Sequence, residues 1–359
     1  GVYDPSDEDT EGRLELLRWL EECGFTIAEM AEGLAADSLG SMVGDRRIVP
    51  GRRLSRAEAL EIAGIEPTSF DENVTAFGFR PINGAPPGEV GITAEEAEAL
   101  GAFDALGRMF SDDEATSLLR VVGTSLSRIA DAAVSMFLAD VESKMLVDGS
   151  SQLQLAQAVE DGASLLDGFA GRLDPLLRRH VLQSIERSRR TIINPTERFV
   201  YRYAVGFVDL VGFTAISGDM NARELSTFLR DFEAHTHDVV TSAGARLVKL
   251  IGDEVMFVSD DPAAACRAGS ELMRGYGAEH EEVLPCGGLA YGDVLVRGGD
   301  YYGAVVNLAS RLADEAVPLE LLVTEPLADA TDSWSFEPAG RRMVKGFDEP
   351  VVVRSLGAG

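Results

Sequence analysis

The chain has 359 residues and a formal net charge of −28, which argues against a nucleic-acid-binding surface because phosphate backbones need a basic footprint. Hydrophobic residues make up 45% and charged residues 26%; that is an ordinary soluble globular composition, and the length suits two domains that can each bury a core. Cys23, Cys266 and Cys286 are widely separated and form no CxxC pair, which sets aside a disulfide framework or zinc site and suits a reducing compartment.

Residues 1–9 are acidic and are expected to form a flexible tail. From residue 10 to about 190 the pattern predicts an all-α domain. Four segments start with the same device: Thr26-x-x-Glu29, Ser55-x-x-Glu58, Thr93-x-x-Glu96 and Ser111-x-x-Glu114. Each is a capping box, in which the hydroxyl accepts from an early backbone N–H and the glutamate reaches back to the cap. Phe25, Leu54, Ile92 and Phe110 precede them as hydrophobic staples. The unequal intervals exclude a solenoid repeat. Arg80 to Gly88, rich in Pro and Gly, predicts a loop.

Longer helices follow. Apolar residues recur at three and four from Ala115 to Glu142 and again over 151–170, which predicts two helices packed as a bundle. The segment 54–64 is compatible with a helix-turn-helix, but its acidic surroundings and the lack of a basic recognition helix favour a packing unit. A connector over about 172–193 carries six arginines between Arg172 and Arg190 against only Asp174 and Glu186. Its plain reading is a solvated helix face, and its functional reading is a switch helix. Asn194-Pro195 ends that helix, because the residue before proline leaves the α region. No run of 18 uncharged apolar residues and no leader pattern occur, so no transmembrane segment is expected and a cytoplasmic location is, with peripheral membrane association as the variant.

The second half, 194–359, alternates strand and helix signals. Tyr201–Asp209 predicts a strand, and Gly212-Phe213-Thr214 a turn into a helix whose free N–H groups suit phosphates. Ala222 to Thr241 predicts a helix, Leu247–Val258 a hairpin turning at Gly252-Asp253, and 262–276 another helix. Leu289-Ala-Tyr and Val294-Leu-Val predict two strands, and Val305–Asp314 a helix. The β-α-β-β-α-β order suits an antiparallel sheet backed by helices, the ferredoxin-like plan of an α+β domain.

Two aspartates stand out, Asp209 in Phe207-Val-Asp-Leu-Val-Gly-Phe-Thr214 and Asp253 in Lys249-Leu-Ile-Gly-Asp-Glu-Val-Met256. Carboxylates at two strand ends can hold Mg²⁺ or Mn²⁺ beside a phosphate chain. With Asn307-Leu-Ala-Ser-Arg311, these motifs resemble the catalytic domain of class III nucleotide cyclases, over roughly residues 199–356. The resemblance implies an adenylate cyclase with two Mg²⁺ or Mn²⁺ per site, held by Asp209, Asp253 and the backbone carbonyl of Leu210. It makes Lys249 and Asp300 the adenine-contacting pair, Asn307 the ribose-orienting group and Arg311 the cation on the α-phosphate. Gly212, Phe213 and Thr214 would bind phosphates, and Lys345 in Met343-Val-Lys-Gly-Phe347 matches a late phosphate-binding lysine. Asp300-Tyr-Tyr-Gly303 and the Cys286-Gly-Gly region depart from the commoner family pattern.

A carboxylate at 300 accepts from adenine's amine, whereas guanine offers a carbonyl there, so ATP is favoured over GTP. The family shares each site between two chains, which implies a homodimer. A helical domain ahead of such a catalytic domain is expected to be regulatory, with pH or a lipid or other apolar ligand as its stimulus. Competing readings are a catalytically silent nucleotide sensor, a scaffold, and a GTP-using guanylate or diguanylate cyclase, the last on the Gly252-Asp-Glu254 fragment.

Overall fold

The computed structural model describes Val2 and residues 10–80, 91–191, 200–275 and 283–356. The rest of the expected tail, most of the Arg80–Gly88 loop, Asn194-Pro195 and Tyr276 lie outside the described residues. The chain divides into two compact units, Gly1–Arg178 and Arg179–Gly359.

In the first unit the helices are α1 (Thr10–Glu22), α2 (Ile27–Ala35), α3 (Met42–Ile48), α4 (Arg56–Ala63), α5 (Pro67–Ala76), α6 (Ala94–Asp104), α7 (Asp112–Phe137), α8 (Ser143–Val147) and α9 (Gln152–Ser164), with α10 (Phe169–Thr191) crossing the boundary. Three of the four expected capping boxes form, at Thr26, Ser55 and Thr93. Ser111 is the cap of α7 with extended backbone, but its side chain makes no cap hydrogen bond. Its staple also fails, since Phe110 is 48% exposed, and the chain enters α7 through the Phe110 N–H on the Leu106 carbonyl at 2.9 Å instead. A box that the hydroxyl–glutamate pattern passes over forms at Ser151 and Gln154.

Two small cores result. Leu16 and Leu20 of α1 pack with Met30, Val43 and Ala156, while Leu54, Ala59, Phe70, Val74 and Leu100 gather α4, α5 and α6. The expected bundle of 115–142 with 151–170 differs. A π-helical turn over Leu138–Glu142 separates α7 from α8, and α9 stops at Ser164. Most of the apolar stripe, Leu126, Ile129, Val134 and Leu138 included, stays exposed. The periodicity marks an apolar face correctly, but little else among the described residues covers it. Asp113–Val147 is the one stretch among them long and apolar enough to cross a membrane by length and composition, and Arg120, Arg128, Asp131, Asp140, Glu142 and Lys144 interrupt it.

The second unit is built on a mixed sheet of eight strands: β1 (Val200–Val211), β2 (Arg246–Ile251), β3 (Glu254–Ser259), β4 (Leu284–Arg297), β5 (Asp300–Tyr302), β6 (Leu321–Thr324), β7 (Phe336–Arg342) and β8 (Val351–Leu356). The order is β2-β3-β1-β4-β6-β8-β7, with β5 attached to β4. The first four in that order are mutually antiparallel, which is the ferredoxin-like arrangement, and β6 extends it in parallel to β4. Helices α11 (Phe213–Asp219), α12 (Ala222–Ser242), α13 (Pro262–Gly275), α14 (Ala304–Glu315) and α15 (Glu325–Ala328) complete the unit. The two strands expected at 289–291 and 294–296 are one, because β1 pairs with β4 without a break from Val200↔Leu295 to Val211↔Leu284.

Alternation along the strands splits the core in two. Ala204, Val208, Val255 and Phe257 face a layer holding Phe228 and Phe232 of α12 and Ala265 and Leu272 of α13. Tyr203, Val205, Phe207, Met256 and Val258 face the other way, toward Tyr301 of β5 and Ala309 and Ala313 of α14. On that second face α14 approaches very closely. A Cβ added at Gly288 would lie 2.3 Å from the Ala309 carbonyl oxygen and 2.6 Å from the Ala313 nitrogen. Backbone cannot yield as a flexible side chain does, so Gly288→Ala should lower stability by about 1–3 kcal/mol, the usual cost of overpacking. An unchanged urea midpoint would show that α14 can lift off β4 at no cost.

Candidate active site

β1 and the β2–β3 hairpin bring two carboxylates together. Asp209 lies near the end of β1, and Asp253 lies in the turn where Gly252 adopts φ +67. Burial, chiefly, and then the charge and hydrogen bond of Asp209 push the Asp253 carboxyl above its ordinary range, against the pull of its own backbone N–H. Glu254 follows the turn and has the strand parity of Met256, so it joins Asp209 on the α14 face. Its carboxyl is pushed up to about 7, by burial first and then by Asp209, Asp314 and Asp253, with Arg311 opposing. Cys286, paired with Asp209 across the ladder, shares this environment, and its thiol is pushed up to about 11 by burial and the same carboxylates.

Such a half-buried concentration of carboxylates fits a divalent cation, which would relieve the repulsion that their own charges create. Among the described residues no group of three or more His, Cys, Asp or Glu side chains is placed to hold a metal ion. Two carboxylates completed by backbone oxygen and substrate phosphates are instead the manner in which Mg²⁺ is commonly held. Leu210 suits the backbone part. It lies on β1 beyond Val208, the last residue of that strand to pair with β3, on the side of the Asp253 turn.

The second pair is Lys249 with Asp300, whose Nζ and Oδ2 lie 2.5 Å apart, both half-buried. A β-bulge brings it about. The β2–β3 register shifts between Leu247 and Lys249, so Val248 is the extra residue. Leu247 faces the α12 and α13 layer, whereas Lys249 sits opposite Met256 and faces the α14 side. Strict alternation would have put Lys249 on the same side as Leu247. Asp300 opens β5, and its Oδ1 accepts from the Tyr301 N–H at 2.8 Å.

Asn307 and Arg311 stand one turn apart on α14, both exposed, and Arg311 Nη1 donates to Asp314 Oδ2 at 2.8 Å. Lys345 lies on the exposed turn between β7 and β8. The preceding Val344 packs with Leu308 and Leu312 of α14, which ties that turn to the helix carrying Asn307 and Arg311. Gly212, at φ +92, caps α11, and Phe213 is buried against Phe228. The Thr214 side chain lies outside the described atoms. The motifs did not single out Glu254, Asp314, Tyr301 or Arg246. Parity with Met256 signals Glu254 once the strand is placed, and i,i+3 spacing from Arg311 signals Asp314.

No model of a known protein family matches the chain. It is 33% identical over 357 residues to an uncharacterized protein of Mycobacterium tuberculosis, covering 99% of this chain and 92% of that one. It is 30% identical over 299 residues to an adenylate cyclase of Glutamicibacter nicotianae, covering 79% of this chain and 72% of the relative. The chain belongs to the class III nucleotide cyclases. This cyclase is also 27% identical over 352 residues to a pH-sensitive adenylate cyclase of Mycobacterium tuberculosis, covering 93% and 85% of the two chains. The crystal structure of the adenylyl cyclase CyaB from P. aeruginosa aligns at TM-score 0.42 and 23% identity, over 44% of this chain and 94% of that one.

The raised Glu254 gives the cyclase a pH signature. The unfolded carboxyl releases its proton near 4.5 and the folded one near 7, so the folded state holds the extra proton between those values. Its contribution is therefore full below about 4.5 and is lost as pH rises through about 7. In chelator-treated protein, urea midpoints of wild type should fall from pH 5 to pH 8 more steeply than those of Glu254→Gln. Parallel curves would mean that Glu254 titrates normally.

Proposed function

We propose that this cyclase converts ATP to 3′,5′-cyclic AMP and pyrophosphate at sites shared between two copies of the chain. What supports ATP as the substrate is the Lys249–Asp300 contact. The ammonium donates to a ring nitrogen of adenine and the carboxylate accepts from its exocyclic amine. Guanine presents a carbonyl oxygen to Asp300, an unsatisfied contact that costs about 1–3 kcal/mol.

Asp209 and Asp253, with the Leu210 carbonyl, would hold two Mg²⁺ or Mn²⁺ ions, which when bound lower the pKa of the ribose 3′-hydroxyl and offset phosphate charge. Asn307 orients the ribose so that its 3′-oxygen lies in line with the α-phosphorus. Arg311 leaves Asp314 for the α-phosphate and stabilises the charge that grows there. The 3′-oxygen, its proton passing to solvent, bonds to the α-phosphorus as the bond to the bridging oxygen breaks, and pyrophosphate leaves. The first amides of α11, at Gly212, Phe213 and Thr214, together with Lys345, hold the outer phosphates.

Each chain carries one set of these groups, so two chains form two equivalent sites. One contributes Asp209 and Asp253, the other Lys249, Asp300, Asn307 and Arg311. The helical domain, residues 10–190 with the connector at about 172–193, gates the catalytic domain. Two observations support pH as the stimulus: the arginine-rich α10 in an acidic chain, and the relative named pH-sensitive. The exposed apolar faces of α7 and α10 make a lipid or another apolar ligand the second candidate, and they suit a cytoplasmic protein that meets membranes peripherally.

Product assays should give cyclic AMP from ATP with Mg²⁺ or Mn²⁺ and much less product from GTP. Asp209→Ala and Asn307→Ala should each be inactive alone and regain activity when mixed, and a mixture that stays silent would sink the shared site. The helical domain is tested with a fragment that begins at Arg179. Starting at 195 would discard the Arg190–Asp260 ion pair and Thr191, which is buried beside the Tyr203 hydroxyl. Between pH 5 and 8 the full chain should respond more steeply than the 179–359 fragment; identical rates and profiles would remove the gating role.

A further inference from the structure

Asp300 sits on very little sheet. Its strand β5 is three residues long and pairs with β4 alone, off the main path of the sheet. A carboxylate that distinguishes one base edge from another must nevertheless be held to about half an ångström. The adjacent residue supplies what the ladder does not. The backbone N–H of Tyr301 donates to Asp300 Oδ1 at 2.8 Å, while Lys249 engages Oδ2 at 2.5 Å. With both oxygens engaged, the plane of the carboxylate follows the backbone of Tyr301.

That backbone is in turn set by its own side chain. Tyr301 is 3% exposed. Its ring meets Tyr203 of β1 edge-on, with centroids 5.3 Å apart and planes at 80°. Its hydroxyl accepts from Arg246 Nη1 at 3.1 Å. Arg246 opens β2, three residues before Lys249, and pairs with Val258. The bulge at Val248 lets both Arg246 and Lys249 face the α14 side. One ring thus ties β5 to the central strand and to the strand that carries the partner lysine.

We propose that Tyr301, clamped by Arg246 and Tyr203, is a positioning residue that sets base selectivity by fixing Asp300 against Lys249. This rests on the proposed assignment of Lys249 and Asp300 to the base. Loosening the clamp lets the carboxylate swing away from the base edge, so adenine loses its acceptor and guanine escapes its clash. The groups that act on the ribose and α-phosphate stand on β1, the β2–β3 turn and α14, so the chemical step is spared.

The test uses the full-length chain with Mn²⁺ and measures kcat and KM for ATP and for GTP. Tyr301→Phe keeps the ring and deletes the hydroxyl, Arg246→Gln removes its donor, Arg246→Lys restores a cation, and Asp300→Ala deletes the carboxylate. For Tyr301→Phe and Arg246→Gln, KM for ATP should rise severalfold and the ATP-to-GTP ratio of kcat/KM should fall about tenfold, with kcat for ATP within about twofold of wild type. Arg246→Lys should recover most of the ratio. A ratio unchanged in both variants, while Asp300→Ala abolishes it, overturns the positioning role and leaves the base pair standing. A ratio unchanged even in Asp300→Ala overturns the base assignment and the positioning role with it. A fall in kcat with KM and ratio intact also overturns the proposal, because a displaced base contact cannot produce it.

Discussion

The backbone of α14 lies on β4 at Gly288 with no room for a side chain between them, and the arrangement of the second unit depends on that approach. Gly292 repeats the accommodation one turn away, where an added Cβ would lie 2.8 Å from a Val305 methyl. The helix is pinned to the face that also carries Asp209, Cys286 and Glu254. Asn307 and Arg311 are therefore offered at fixed height above the sheet, on an element braced beneath by Ala309 and Ala313 and behind by Leu312 and Val344. Functional groups on a helix seated this firmly are more precisely placed than groups on a loop.

The same seating gathers negative charge. Burial, and after it the neighbouring charges, hold protons beyond the usual range at Asp253 and Glu254: Asp209 acts on both, Asp314 and Asp253 act on Glu254, and Arg311 opposes them there. Such crowding costs stability in the isolated chain. Functional sites commonly bear that cost, because it is refunded when a polyanion and its counterions arrive together.

In the second unit, elements and candidate site residues were legible where local sequence marks them. Asp209, Asp253, Lys249, Asp300, Asn307 and Arg311 stand in short motifs, and the order of strands and helices was enough for the ferredoxin-like plan. What escaped was set by tertiary contact. The interval Gly292-Asp293 looks like a break between two strands, yet β1 pairs straight through it. The hydroxyl–glutamate pattern at Ser111 matches those at Thr26, Ser55 and Thr93, but its box does not close, and no local signal separates the cases. In the helical half, periodicity marked the apolar stripes of α7 and α9 but could not tell what covers them. Nor did the sequence reveal that Lys249 and Asp300 touch, since that contact needs a bulge in one strand and an anchored ring on another.

The bulge at Val248 has a consequence for how this chain is compared with its relatives. Side chains in a strand alternate with period two, so one additional residue reverses the facing of everything on one side of it. The lysine reaches its aspartate because the strand counts one residue too many between Leu247 and Lys249. A relative with the same lysine but no extra residue would match it letter for letter and present that side chain to the opposite face of the sheet. Whether Lys249 meets Asp300 is therefore set in this chain by strand length as well as by residue identity, and losing one residue at this position would undo the contact as surely as a substitution.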